Sequence, residues 1–87
     1  MKKPTLLGIE LAEIVLQYGP QTFILDFYQS DRVTHYGPIQ VSRVCDALNL
    51  GNHYHISPPA QQVSIQWMDS KRELFHQKWL HELHYES

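Results

Sequence analysis

The chain has 87 residues, 43% of them hydrophobic and 18% charged, with a formal net charge of −2. That balance excludes a disordered chain and predicts a single domain over residues 1–87, burying about two-thirds of its unfolded surface. Seven Lys and Arg against nine Asp and Glu create no field that calls for phosphate, a membrane surface or a strongly acidic partner.

A single cysteine, Cys45, excludes an internal disulfide framework and suits a reducing compartment, so a cytoplasmic location is expected. Lys2 and Lys3 precede an apolar run and so imitate a signal peptide. Glu10 and Glu13 interrupt that run, and Gly19-Pro20 is a turn rather than a cleavage site. The run is also well short of the ~20 residues needed to span a bilayer.

Residues 6–18, LLGIELAEIVLQY, read as a helix capped by Thr5 and ended by Gly19-Pro20. At 100° per residue its polar side chains, Glu10, Glu13 and Gln17, fall in one narrow strip. Apolar side chains cover most of the remaining circumference, enough for a second contact beyond the helix's own core. Gly8 and Ala12, four apart, would let a facing helix approach closely. With Val15 they form the expected protein interface, and a homodimer through this helix is the expectation. The competing arrangement buries both faces within one chain.

Residues 22–29, TFILDFYQ, are rich in aromatic and branched residues and read as a strand. Ser30-Asp31 turns it into a second strand, Arg32 to Tyr36. Two loop residues pair Gln29 with Arg32 and Tyr28 with Val33, which sets Asp26 opposite His35. Gly37-Pro38 ends that strand and opens a helix over about 39–50, with Val41, Val44, Cys45 and Leu48 as its inward stripe. Asn49 to Gly51 is the stop. HYHIS, residues 53–57, is a short strand closed by Pro58-Pro59.

Val63, Ile65 and Trp67 alternate with Ser64, Gln66 and Met68, the clearest period-two signal in the chain. A capping box, Ser70 with Glu73, opens a last helix running to about His84. The expected fold is therefore α+β, a small, mostly antiparallel sheet of about four strands with three helices in the order α-β-β-α-β-β-α. That order hints at a duplicated helix–strand–strand unit, with Leu11, Ile14, Val15 and Tyr18 matching Val41, Val44, Cys45 and Leu48 at a shift of 30.

Six histidines raise the question of a metal. His53 and His55 would share one face of a strand, and His81 and His84 one face of a helix. His76 falls beside the apolar arc of Phe75, Trp79 and Leu83. No Cys pair or HExxH pattern accompanies them, so no metal and no cofactor are expected. Asp26 with His35 could form a carboxylate–imidazole dyad, but no nucleophile or oxyanion donors complete it. Cys45 is expected buried on its stripe, with no flanking cation to activate it. No catalytic residues are assigned, and the protein is not expected to be an enzyme.

The run from Val41 to Leu48 looks like the first helix of a helix-turn-helix, yet two prolines forbid a recognition helix after it. Tyr28, Tyr36, Tyr54 and Trp67 on a sheet surface could stack bases, but the few basic residues are scattered. The same four aromatics serve better as anchors for a protein partner. The leading expectation is thus a small protein-interaction module, an adaptor, assembly factor or inhibitor. A nucleic-acid-binding regulator is the alternative.

Overall fold

The computed structural model describes residues 5–54, 62–68, 71 and 73–81. Its elements run α1 (Leu6–Tyr18), β1 (Gln21–Gln29), β2 (Arg32–Val41), α2 (Val44–His53), β3 (Gln62–Met68) and β4 (Phe75–His81). The four strands make one antiparallel sheet in the order β2-β1-β3-β4. Two hairpins therefore meet along their first strands, each preceded by a helix.

The first helix has the bounds its caps predict. Thr5 Oγ1 accepts from Gly8 N at 3.0 Å. At the other end Gly19, at φ 81°, donates its N–H to Val15 O at 2.8 Å. β1 and β2 turn through Ser30-Asp31, and the pairs Gln29–Arg32, Tyr28–Val33 and Asp26–His35 are the register expected from a two-residue loop. β1 alternates cleanly: Phe23, Leu25 and Phe27 are buried toward the helices, while Ile24, Asp26 and Tyr28 turn to the other face. Burying Phe23 and Phe27 contributes roughly 2–3 kcal/mol each.

Gly37-Pro38 does not start a helix. β2 continues through it to Val41, and the register against β1 shifts between Phe23 and Leu25 to absorb the irregularity. Gly37 has φ 125° and the Gly37–Pro38 peptide is cis. β2 is an edge strand, where proline costs no ladder donor if its nitrogen faces outward. The second helix consequently starts at Val44 rather than 39, and it includes Gly51 and His53. His53 is thus helical, and residues 55–57 of the expected HYHIS strand lie outside the described residues. Val41 belongs to a strand, so the shift of 30 does not superpose the two helices, although the helix–strand–strand order occurs twice.

The expected third helix is corrected: residues 75–81 form β4, paired to β3 from Met68–Phe75 to Gln62–His81. Phe75 and Trp79 suit a helical arc by spacing, but Phe75, Gln77, Trp79 and His81 equally suit one face of a strand. Tertiary context decides. β3 carries Val63, Ser64, Ile65 and Trp67 buried, and such a strand needs a neighbour on each edge. Ser70 and residues 82–84 of the expected helix lie outside the described residues. No helix of the described chain is long and apolar enough to cross a membrane.

The core lies between the sheet and the helix pair. Leu7, Leu11, Ile14 and Val15 of α1, with Ala47 of α2, pack over Phe23, Leu25, Phe27, Val63, Ile65 and Trp67. Both helices lie on one side, so the opposite face of the sheet has no covering layer among the described residues.

Candidate interaction surface

The second contact of α1 is α2 of the same chain. Gly8, Ala12 and Val15 are buried, and Gly51 of α2 comes so close to Gly8 that no side chain fits between them. The large apolar side chains that α1 leaves outward are Leu6 and Ile9, each 41% exposed, and Leu16, 73% exposed. Glu10 leaves the outward polar strip and meets Lys78 of β4 in an ion pair.

The four aromatics divide between the two sides of the sheet. Tyr36 sits on the helix side and packs with Tyr54, ring centroids 4.5 Å apart, beside Phe27. Trp67 is buried on that side too, stacked on His76 at 5.3 Å and close to Tyr18. Tyr28 alone of the four turns to the open face, where it meets Trp79 at a centroid separation of 5.2 Å. Trp79 was not singled out from sequence, because a helical reading of 75–81 hides its alternation with Lys78 and Leu80.

The open face can be read row by row from the register. Val33, Tyr28, Gln62 and His81 cross one end. His35, Asp26, Ser64 and Trp79 form the next row, and Ile24, Gln66 and Gln77 the one after. Met68 and Phe75 close the far end on the β3–β4 side. Val33, Phe75, Trp79 and Met68 are exposed large hydrophobics. No Lys or Arg of the described strand residues points to this face. Lys78 lies on the helix side with Glu10, and Arg32 holds Gln29 Oε1 at 3.1 Å in the hairpin. Arg43, just before α2, pairs with Asp46 at 3.2 Å, and that hydrogen bond, then the charge of Asp46, pushes the guanidinium pKa above its ordinary value.

The second row holds the polar chemistry of the face. His35 Nδ1 and Asp26 Oδ1 are hydrogen-bonded across the hairpin. Gln77 Nε2 donates to Ser64 Oγ at 2.8 Å, and Ser64 is 1% exposed. The order across the strands is His35, Asp26, Ser64. A nucleophilic relay needs the imidazole between hydroxyl and carboxylate, whereas here the carboxylate lies in the middle. This geometry makes the row a set of cross-strand bonds.

Cys45 is exposed on α2 rather than buried, because a helix starting at Val44 turns Ala47 and Gly51 inward. Among the described residues no group of three or more His, Cys, Asp or Glu could hold a metal. His76 and His81 point to opposite faces of β4, and His55 and His84 lie outside the described residues. No protein-family model, curated protein or solved structure matches this chain.

Proposed function

We propose that this protein is a small non-enzymatic interaction module, a stoichiometric adaptor, assembly factor or inhibitor that occludes or bridges a larger protein. The observation that carries this reading is the open sheet face, where the Tyr28–Trp79 pair lies beside exposed Val33, with exposed Met68 and Phe75 at the far end of the same face. Aromatic anchors of this kind fill pockets on a partner, and polar neighbours such as Gln62, Gln66 and Gln77 exclude water around them. Self-association is part of the same reading. With Gly8 against α2 and Ala12 and Val15 buried within the same chain, the sheet rather than α1 is the surface for it.

The alternative, a nucleic-acid-binding regulator, draws on the same aromatics. It is the weaker reading because Tyr36 and Trp67 turn toward the helices, and among the described strand residues no Lys or Arg stands on the open face to contact phosphate.

The test compares wild type and Trp79→Glu as baits in extract of the native host. A protein retained stoichiometrically by wild type and lost by the variant is expected. A gel shift with mixed DNA and RNA at low and moderate salt completes it. Salt-sensitive binding with no retained protein would replace this reading with the alternative.

A further inference from the structure

The sheet has two edges, and they are unlike. β2 carries Gly37-Pro38 in its middle and a register shift beside it, devices that blunt an edge against another strand. β4, Phe-His-Gln-Lys-Trp-Leu-His, has neither glycine nor proline. Among the described residues no strand pairs with its outer edge. Phe75 and Trp79 on this strand and Leu74 just before it are 56%, 40% and 61% exposed.

We propose that β4 pairs antiparallel with β4 of a second copy, in a register centred on Gln77, to make a continuous eight-stranded sheet. The inference rests on the reading of the protein as a self-associating interaction module and names the surface. Matching pleats allow only residues of like parity to stand opposite one another. The two-fold axis must therefore pass through a residue, and the centre of the strand offers three.

Centring on Lys78 opposes the two Lys78 side chains and sets His76 against Leu80. Centring on Trp79 opposes Lys78 to Leu80 of the second copy. Centring on Gln77 opposes Phe75 to Trp79 of the second copy on the open face and, where the pairing continues past the start of β4, Leu74 to its Leu80. The same register brings Glu73 opposite its His81. Lys78 then stands opposite His76 of the second copy, with Glu10 already paired to its ammonium. Aromatic meets aromatic, aliphatic meets aliphatic and an acid meets an imidazole, each repeated by the two-fold. This register also joins the two open faces into one surface, with an aromatic row across the junction.

Sedimentation equilibrium from about 5 to about 200 µM tests the association, since a dimer of this kind follows mass action. The expected mass rises from that of the 10.2 kDa chain toward twice that value. In a Cys45→Ser background, Gln77→Cys should give a disulfide-linked dimer with oxidised glutathione, because directly opposed strand positions bring Cβ atoms close. Val33→Cys on β2 should not. Gln77→Lys sets like charges at the axis and should weaken the dimer about fivefold, with circular dichroism confirming that the fold is retained.

A monomer across the whole range overturns the pairing, as does a dimer that Gln77→Cys fails to link or that Gln77→Lys leaves unchanged. A monomer that still retains a protein partner through Trp79 would sink this pairing alone and leave the interaction-module reading standing.

Discussion

Gly8 of α1 and Gly51 of α2 meet backbone to backbone. A Cβ added to Gly51 would fall 2.6 Å from Thr5 Oγ1 and closer still to Gly8 N and Cα. The helices therefore cross on two bare positions, and the crossing fixes how both lie on the sheet. Gly51→Ala must push backbone against backbone, and it should cost about 3 kcal/mol, the upper range for overpacking. At Gly8 the added methyl would meet Leu48 O at 3.0 Å. The helix propensity gained by alanine offsets much of that, so Gly8→Ala should cost less than about 1 kcal/mol. Urea titrations with an unchanged slope would give both numbers. An innocuous Gly51→Ala would show that α1 and α2 do not approach this closely.

The cap of α1 reports on the same junction. Thr5 is 8% exposed and its hydroxyl satisfies Gly8 N. Thr5→Ala leaves that amide without its side-chain acceptor and should cost about 1–2 kcal/mol. Thr5→Ser keeps the oxygen and should recover most of it. Equal losses for the two variants would mean that the methyl, not the hydrogen bond, matters here.

The parts of this fold governed by local chemistry were legible in the chain. Thr5 and Gly19-Pro20 bracket α1, and Ser30-Asp31 sets a hairpin register that extends to Asp26 and His35. What was not legible depends on partners distant in sequence. Pro38 reads as a helix opener until β1 shifts its register to keep β2 going. Phe75 and Trp79 fit an arc or a pleat until β3 supplies an edge to pair with. Gly8 and Ala12 did signal close approach by another helix, but Gly51, the element that answers them, read as a stop. Of the four aromatics the sequence places on one sheet surface, only Tyr28 turns to the open face, because Tyr36 and Trp67 have the opposite strand parity. Trp79 was missed with β4.

The Asp26–His35 pair joins a carboxylate 17% exposed to a ring 64% exposed. Exposed cross-strand pairs contribute little, because water competes for both partners. A double-mutant cycle with Asp26→Ala and His35→Ala should give a coupling of about 0.5 kcal/mol. A coupling of several kcal/mol would imply a role beyond pairing the two strands.

The histidines do not converge in the described chain: His53 belongs to α2, while His76 and His81 turn to opposite faces of β4. Elemental analysis of protein purified without a histidine tag should show no stoichiometric zinc, nickel or copper. About one metal per chain would require ligands from residues such as His55 or His84.

Glu10 and Lys78 tie α1 to the edge strand β4, and their exposures are unequal: 13% for the Glu10 side chain, 49% for Lys78. Lys78 reaches the pair from water along its aliphatic stem, whereas Glu10 is largely covered. Removing the lysine alone leaves a mostly covered carboxylate without its cation, and such orphaned charge costs more than the pair itself contributes. Lys78→Met should therefore destabilise by about 1–2 kcal/mol, after discounting for the solvent that still reaches the site. The double variant Glu10→Gln/Lys78→Met removes both charges and should lie closer to wild type than Lys78→Met does. Guanidinium chloride would screen the pair, so urea is the denaturant to use. If the double variant proves less stable than Lys78→Met, the uncompensated Glu10 carboxylate is not the dominant cost of losing the lysine.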